Sequence, residues 1–268
     1  MKQVMLYHGD CLHEMEKIPD NSVELILCDL PYGTTRCKWD SVIPFAPLWE
    51  QYKRIITKTG AIVLFADQPF SSLLVASNVE WFKFEFIWKK DKTTGFLLAN
   101  YRPMKCTEDI LVFSPGGAAA ASRNKGNITY NPQGLIPKRV EKKNNEKRLG
   151  KIIGQRHNLG ENNKLLTDAS YTQEYTNYPN EILEFKGENN TIHPTQKPVA
   201  LCEYLIRTFS NEGETVLDNT MGSGTTGVAA VNCNRNFIGI EFEEQYFKIA
   251  KERIDSANAK TENSGTLF

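Results

Sequence analysis

Short apolar runs alternate with amphipathic segments along most of this chain, and this alternation constrains the fold more than any other feature. Residues 23–28 and 61–65 are mostly apolar runs of strand length, and the segment 45–56 between them repeats apolar residues at helical spacing. Strands that are apolar throughout and alternate with helices are typical of a parallel sheet with both faces covered. The pattern therefore predicts a doubly wound, mostly parallel α/β sheet.

The same patterns place the remaining elements, which lie toward the two ends of the sequence and leave a gap in the middle. Strands are predicted at 4–7, 82–88, 109–113, 215–217 and 237–240, and helices at 11–18, 70–77, 199–209, 226–232 and 243–254. The segments that form the sheet therefore come from two separate stretches of the chain.

The composition is that of a globular protein with one large domain. Its 268 residues, 40% of them hydrophobic, are enough for a sizeable core and a modest insert. The chain lacks an apolar run near the roughly 18 residues of a membrane span, and its N-terminus lacks the pattern of a signal peptide. Six scattered cysteines, without a CxxC pair or a histidine at metal spacing, predict reduced thiols and no metal site. Together these features predict a cytoplasmic protein.

The texture changes between residues 114 and 190, where Gly, Asn and Lys dominate and apolar periodicity disappears. Between Arg123 and Arg156, ten Lys or Arg outnumber the acidic residues Glu141 and Glu146, although the whole chain has a formal net charge of zero. A solvated loop is the ordinary explanation of such a run, and contact with nucleic acid is the alternative. The sequence predicts an irregular insert between two sheet-forming stretches.

Two of the predicted strands end in polar turns that suggest a ligand site. One strand leads into Asp29-Leu30-Pro31-Tyr32, and another, near the C-terminus, leads into the segment 218–226, DNTMGSGTT. In open α/β sheets, ligands bind beyond the carboxyl ends of the strands, at the turn into the next helix. Glycines in such a turn let the backbone approach a ligand, and free amide groups at the helix start favour a carboxylate.

The first turn resembles the catalytic tetrapeptide of amino-group methyltransferases, and the glycine turn resembles their S-adenosylmethionine loop. The order of the two motifs, with a long insert between them, resembles the beta class of DNA amino-methyltransferases. The resemblance covers roughly residues 4–113 and 190–255. It implies a seven-stranded-type methyltransferase sheet, S-adenosylmethionine as cofactor and double-stranded DNA as substrate, in DNA methylation or restriction-modification. Dimers occur in this family, and the sequence leaves open whether this chain is a homodimer.

The resemblance gives a catalytic role to the four residues of the first turn. The amino nitrogen of adenine is a poor nucleophile, because its lone pair is delocalised into the ring. The Asp29 carboxylate and the Leu30 carbonyl would accept its two hydrogens and draw the nitrogen toward a tetrahedral geometry. Pro31 would stiffen the turn, and Tyr32 would stack on the flipped base. Trp88 would form the opposite wall of the base pocket, or else pack in the core.

The resemblance also implies a set of cofactor-binding residues. Glu241, at the end of a strand one βαβ unit after the glycine turn, would accept hydrogen bonds from the ribose hydroxyls, or else complement a helix dipole. Asp10 would accept one from the adenine amino group. The segment 192–198, IHPTQKP, resembles one that lines the methionine end of the cofactor, where Lys197 or His193 would face its carboxylate. The predicted residues are Asp10, His193, Thr195, Lys197, Asp218, Thr220, Gly222, Gly224, Thr225 and Glu241.

Two departures from the family pattern bear on the reaction. Leu30 stands where the family usually has Pro, and Asn219-Thr220 stands where it usually has Pro-Phe. Because the role of Leu30 is carried by its carbonyl, we expect activity to be retained. With Asp29 as the first residue of the tetrapeptide, the expected reaction is adenine-N6 methylation. Cytosine-N4 methylation by the same scaffold is an alternative, although Ser usually replaces Asp29 there. The other alternative is a non-catalytic nucleic-acid-binding protein on a decayed methyltransferase fold.

Under this resemblance the chain divides into parts with different roles. The insert at 114–190 is predicted to be the target-recognition region, in which basic side chains contact phosphate and Asn and Gln are available for base edges. The predicted phosphate contacts are Lys138, Arg139, Lys142 and Lys143. The flanking parts are a catalytic half at 1–113, a cofactor-binding half at 191–258 and a flexible tail at 259–268.

Overall fold

The computed structural model describes residues 2–33, 41–119, 126–143, 170–188 and 196–264. The chain forms two compact units. The larger consists of Met1–Asn131 together with Asn180–Phe268, and the smaller is Pro132–Pro179. Among the described residues, the helices are all too short or too polar to cross a membrane.

Ten strands and six helices form the described part of the chain. The strands are β1 (Val4–His8), β2 (Val23–Asp29), β3 (Ile56–Ala66), β4 (Phe82–Thr94), β5 (Lys105–Phe113), β6 (Ile136–Lys143), β7 (Ser170–Thr176), β8 (Ile182–Glu184), β9 (Thr215–Asp218) and β10 (Asn236–Glu241). The helices are α1 (Cys11–Met15), α2 (Phe45–Ile55), α3 (Phe70–Ser77), α4 (Val199–Phe209), α5 (Thr225–Asn232) and α6 (Glu244–Ser264). A single 3-10 turn, Phe96–Leu98, lies between β4 and β5.

The larger unit is built on an eight-stranded sheet in the order β1-β10-β9-β2-β3-β5-β4-β8. The pairs are parallel except those that β5 makes with β3 and β4, which are antiparallel. The predicted doubly wound, mostly parallel α/β sheet is confirmed. It has seven strands of the expected type, and the short strand β8 adds an eighth at the edge beside β4.

Strand β2 shows why the sequence is apolar throughout in the centre of the sheet. Leu25 and Leu27 face a core that includes residues of α4, α5 and α6. Ile26 and Cys28 face the opposite core, which includes residues of α1, α2 and α3. All four side chains are fully buried. A strand covered on both faces needs apolar residues at every position, not at alternate ones.

Several elements are longer or shorter than the sequence predicts. Helix α1 ends at Met15, and β4 and β5 extend beyond the apolar segments that predict them. Helix α6 continues to Ser264, so residues 259–264 are helical although the sequence predicts a tail there. The Lys2 ammonium holds this end of the helix, since its Nζ donates to Thr261 Oγ1 at 2.7 Å.

The smaller unit contains strands that the sequence does not predict. Strands β6 and β7 pair antiparallel, with Ile136 opposite Thr176. Their side chains are largely polar, so the pair lacks the apolar alternation that identifies a half-buried strand. The unit lies within the predicted insert of 114–190, whose flanking residues 114–119, 126–131 and 180–188 belong to the larger unit.

Candidate active site

A cavity of about 650 Å³ lies at the carboxyl ends of β2, β9 and β10. This is the edge of the sheet at which the sequence predicts a ligand site. The cavity brings together residues from both motif regions, although these are far apart in sequence. Among its lining residues are Asp10, Asp29, Leu30, Pro31, Tyr32, Lys197, Asp218, Thr220, Gly222, Thr225 and Glu241.

Asp29, the last residue of β2, is held through both its side chain and its backbone. Its Oδ2 lies 2.6 Å from Lys197 Nζ, and its Oδ1 accepts a hydrogen bond from the Tyr32 hydroxyl at 2.7 Å. Its backbone carbonyl accepts from Thr220 Oγ1 at 3.1 Å. The turn at residues 29–32 is therefore fixed directly to the glycine turn, and the carboxylate has one orientation in the cavity.

Behind Asp29 lies a network of charges that the sequence did not predict. The ammonium group of Lys197 is 2.8 Å from Glu108 Oε1, and that of Lys90 is 2.6 Å from Glu108 Oε2. The Tyr32 hydroxyl also lies 3.1 Å from Glu108. Two carboxylates thus share two ammonium groups, and the buried charges balance. Lys197, which the sequence predicts as one of two candidates to face the cofactor carboxylate, pairs with Asp29 and Glu108, and its contact with the cofactor stays a prediction.

The pKa values of the two carboxylates move in opposite directions. Burial alone would raise the pKa of Glu108, but the ammonium groups of Lys197 and Lys90 outweigh it and lower that pKa to about 2. Burial raises the pKa of Asp29, and the Glu108 charge adds to this, while Lys197 opposes it. The difference follows from geometry, because Glu108 contacts two ammonium groups and Asp29 only one. Asp29 is therefore the more basic of the two carboxylates.

The aromatic residues of the predicted base pocket line the same cavity. The ring of Tyr32 stacks on that of Phe70, with centroids 5.0 Å apart and planes inclined by 29°. Trp88 is buried, and its indole nitrogen donates to the Phe185 carbonyl at 3.0 Å. Both rings are held in place by protein contacts, so they form fixed walls of the cavity.

The two glycines of the second turn have different structural roles. At Gly222, where φ is +51°, a Cβ would meet no atom within 4 Å, so this position opens onto the cavity. At Gly224, where φ is +80°, a Cβ would lie 2.9 Å from Ala250 Cα in helix α6. The sequence assigns both glycines to ligand approach. The structure shows that Gly224 is needed for the packing of α6 against the turn.

Two acidic residues that are predicted to bind the cofactor are oriented by backbone amide groups. Glu241 accepts from Gly222 N and from Glu243 N, both at 2.8 Å, and burial raises its pKa. Asp10 caps α1, because its Oδ1 accepts from the amide group of Leu12 at 2.9 Å. Both carboxylates line the cavity, in fixed orientations, as acceptors for a polar ligand.

Asp218 lies at the end of β9, almost fully buried beneath the turn. Its Oδ1 accepts from Thr220 N at 3.1 Å. Burial raises the pKa of Asp218 to about 7. The turn is therefore closed by a carboxylate that titrates near neutral pH. Thr225, at the start of α5, lines the cavity next to this turn.

Asn219 explains one departure from the family pattern. Its Oδ1 accepts from the Tyr52 hydroxyl at 2.6 Å and from the Cys28 thiol at 2.9 Å. The side chain thus takes part in a buried polar cluster at the base of the cavity, in a place where proline offers no hydrogen bond. Sequence analysis could not identify this role, because Tyr52 lies on helix α2, 167 positions away along the chain.

Other predicted site residues are placed elsewhere or lie outside the described part of the chain. His193 and Thr195 are not among the described residues. Lys138 and Arg139 are exposed on β6 in the smaller unit, and Lys142 and Lys143 follow on the same strand. The prediction that these four residues contact DNA stays a prediction.

Comparison with known proteins identifies the family. A family model described as DNA methylase matches residues 23–252, which is most of the chain and includes both turns of the cavity. This chain belongs to the DNA methylase family. The predicted relationship to DNA amino-methyltransferases is confirmed. One continuous match includes both motifs, in the order that suggested the relationship.

Individual relatives of this DNA methylase cover nearly its full length. The DNA adenine methyltransferase YhdJ of Escherichia coli (strain K12) is 28% identical to this chain, over 94% of this chain's length and 83% of YhdJ. Type II methyltransferase M.HpaI of Haemophilus parainfluenzae is 27% identical to this chain, over 92% of this chain's length and 73% of M.HpaI. The crystal structure of the M1.HpyAVI–SAM complex has a TM-score of 0.60 at 25% identity, covering 94% of this chain and 100% of that one. The cytosine-N4-specific PvuII DNA methyltransferase is 14% identical to this chain and shares its fold. The TM-score is 0.64, and the match covers 98% of this chain and 94% of that one.

Proposed function

We propose that this DNA methylase transfers a methyl group from S-adenosylmethionine to N6 of adenine in double-stranded DNA, with the target base flipped out of the helix. The observation that carries the proposal is the hydrogen bond between Thr220 Oγ1 and the Asp29 carbonyl. This bond joins the glycine turn to the catalytic turn. A methyl donor at one turn and a base at the other would therefore meet beside the Asp29 carboxylate.

The residues around the glycine turn fit S-adenosylmethionine. The open space at Gly222 allows a ligand to lie against the backbone of the turn. Each carboxylate oxygen of Glu241 accepts one backbone hydrogen bond and keeps a lone pair for a ribose hydroxyl. Asp10 lines the same cavity and would accept from the adenine amino group. When bound, S-adenosylmethionine supplies an electrophilic methyl group on a sulfonium centre.

Asp29 would hold the target amine and take the proton that it loses. A carboxylate that accepts a hydrogen from the amine orients the nitrogen lone pair, and a raised pKa makes it a better proton acceptor than an ordinary aspartate. Lys197 balances the charge of this carboxylate through its contact with Oδ2. The Tyr32 ring, supported by Phe70, would stack on the flipped base.

The substrate of the proposed reaction also fits the charge of the insert. Lys138 and Arg139 are exposed on β6, within a run of basic residues, and would contact the phosphate groups of DNA. Base readout would come from polar side chains of the same insert. A reaction on cellular DNA is consistent with a cytoplasmic location.

The target base is tested by sequencing the methylated DNA of cells that express the protein. We expect N6-methyladenine at one sequence motif, and none in cells that express the Asp29→Ala variant. N4-methylcytosine at the motif would support the alternative reaction on the same scaffold. If the DNA is unmodified in cells that express the wild-type protein as well as in those that express the variant, although both proteins are folded and present, the proposal is contradicted. That result would support a nucleic-acid-binding protein without methyltransferase activity.

A further inference from the structure

The hairpin formed by β4 and β5 ends in a turn with large apolar side chains on its surface. Phe96 is 78% exposed, Leu97 is 93% exposed and Tyr101 is 87% exposed. Single exposed apolar residues are common, but three within six positions form a patch that marks an interaction site. We call residues 95–104 the hairpin tip.

The hairpin tip is an ordered turn, so the exposure of its side chains is part of its structure. Gly95 adopts φ +91° and begins the turn, and its carbonyl accepts a hydrogen bond from Leu98 N at 2.9 Å. Tyr101 N and Arg102 N both donate to the Leu98 carbonyl, at 2.9 and 3.0 Å. These backbone bonds hold Phe96 and Leu97 at the end of the turn, where their side chains point away from the core.

The hairpin tip continues two strands that line the cavity. Trp88 and Lys90 of β4 and Glu108 of β5 line the cavity from the two arms of the hairpin. Lys105, the first residue of β5, pairs with Asp67, which also lines it. Because each residue spans at most about 3.5 Å, the Cα atom of Tyr101 lies within about 14 Å of that of Lys105. The hairpin tip is therefore an extension of two strands that line the cavity in which a flipped base would bind.

The charges around the hairpin tip suit DNA. Between residues 89 and 105 there are five basic residues and one acidic residue, Asp91. Arg102 is exposed on the tip itself. Three of the five basic residues, Lys89, Lys90 and Lys105, pair with Glu184, Glu108 and Asp67, so the excess of positive charge lies nearest the tip. Basic side chains next to exposed apolar ones are the combination found in proteins that contact phosphate and insert a wedge between bases.

We infer that the hairpin tip inserts Phe96, Leu97 or Tyr101 into the duplex, where it fills the space left by the flipped target base. This inference rests on the proposed function and adds a wedge to it. The wedge would stack on the bases next to the gap and so stabilise the flipped state. Its effect is therefore largest when the target base has a pairing partner that must be given up.

The test compares two duplexes that carry the motif identified by methylation sequencing. In one the target base is paired, and in the other it stands opposite an abasic site. The triple variant Phe96→Ser, Leu97→Ser, Tyr101→Ser should lose about tenfold or more in turnover on the paired duplex, and regain most of it on the unpaired one. Val79→Ser is the matched control, because Val79 is 66% exposed but lies before the start of β4, away from the tip. It should behave as wild type on both duplexes.

A second measurement separates the wedge from the reaction. With 2-aminopurine at the target position, binding of the wild-type protein should raise the fluorescence, and the triple variant should raise it less. Equal fluorescence and equal turnover on the paired duplex would overturn the inference, as would an equal loss on both duplexes. A change from dimer to monomer in sedimentation, with flipping unchanged, would show that the tip contacts a second copy instead. If sequencing finds a methylated motif but the triple variant flips and methylates the paired target as well as wild type, the proposed function stands and the wedge alone fails. If sequencing finds no methylated motif, the proposed function fails, and the wedge, which rests on it, fails with it.

Discussion

At the scale of single residues, the charge balance around Asp29 determines what the cavity can do. The carboxylate contacts one ammonium group, on Lys197, while Glu108 behind it contacts two. Glu108 therefore stays ionised, and Asp29 keeps a raised pKa in the position where the target amine would bind. A pair of carboxylates with different pKa values has separate roles, one in holding charge and one in accepting a proton.

The Asp29→Ala substitution tests the role of this carboxylate. We expect the rate of methyl transfer to fall about a hundredfold or more, because one preorganised acceptor is lost. The affinity for S-adenosylmethionine, measured by calorimetry, should change little, since the backbone contact with Thr220 remains. Asp255→Ala is a suitable control, because Asp255 pairs with Lys251 on the exposed side of α6. Wild-type turnover in Asp29→Ala would contradict the catalytic assignment.

The Lys197→Gln substitution tests how the network sets the pKa of Asp29. Removing the ammonium group leaves Asp29 close to the charge of Glu108, so the pKa of Asp29 should rise further. Asp29 must be ionised to accept a proton, so activity should be lost at a higher pH as the solution is acidified. The acid limb of the single-turnover pH profile should shift upward by about one pH unit or more. An acid limb at the same pH as in wild type would show that Lys197 only supports the fold. The Lys251→Gln variant is the control for the loss of a positive charge.

Asp218 gives the apo-protein a pH-dependent stability. Its pKa is about 7 in the folded protein and about 3.9 in an unfolded chain. Between these values the folded state binds a proton that the unfolded state does not, so stability falls as the pH rises and levels off above pH 7. Asp218→Asn has no such charge. The unfolding free energy of the variant minus that of wild type should therefore rise with pH, by about 1.4 kcal/mol per pH unit between pH 5 and 6 and by about half of that at pH 7. A constant difference in urea titrations would contradict the assignment.

The residue-scale network marks the limit of the sequence prediction for the site. The sequence predicted Asp29, Tyr32 and the glycine turn, because each belongs to a short motif at a strand end. The contact between Lys197 and Asp29 joins residues 168 positions apart, and sequence patterns do not show which distant charges meet. Glu108 lies within strand β5, at a position to which the sequence patterns assign no role.

At the scale of elements, the prediction was accurate where packing alone sets the boundaries. Helices α3 and α4 have the predicted bounds, because apolar residues at helical spacing stop where the buried face stops. Strand β4 continues to Thr94, although residues 89–94 are polar and mostly exposed. Backbone pairing with β5 extends this strand, and such pairing needs no apolar pattern. The hairpin tip was therefore not visible in the sequence as an element.

The turn between β9 and α5 gives a prediction about two glycines with different roles. Gly224→Ala places a Cβ 2.9 Å from the backbone of α6, at a positive φ, and should lower stability by about 1–3 kcal/mol. Gly222→Ala carries the same strain of a positive φ, but its Cβ meets no atom within 4 Å and lies at the cavity, so it should weaken S-adenosylmethionine binding with a smaller loss of stability. Thermal unfolding and calorimetric titration measure the two effects. The reverse order, with Gly222→Ala the less stable variant and Gly224→Ala the weaker binder, would contradict these roles.

At the scale of the whole molecule, the cavity and most of the basic run lie on different stretches of sequence, and we propose that these stretches divide the reaction from DNA recognition. The cavity, the charge network and the hairpin tip all belong to the larger unit. The smaller unit, Pro132–Pro179, contains the pair β6 and β7 and part of the basic run. Its boundaries could not be predicted from periodicity, because a polar two-stranded pair resembles a loop in sequence.

The basic residues of β6 give the prediction that tests this division. Replacing Lys138, Arg139, Lys142 and Lys143 with Gln should weaken binding to all duplexes by a similar factor, because phosphate contacts carry no base information. Each phosphate contact contributes about 0.9 to the slope of log affinity against log salt, so the slope should flatten by up to about four units. Fluorescence anisotropy across a salt series measures both effects. The affinity for S-adenosylmethionine should stay unchanged, since its proposed site lies in the larger unit. If the variant keeps the parent slope, the basic run is a solvated segment, and the phosphate contacts of this enzyme lie in the larger unit, with the hairpin tip as the first place to look.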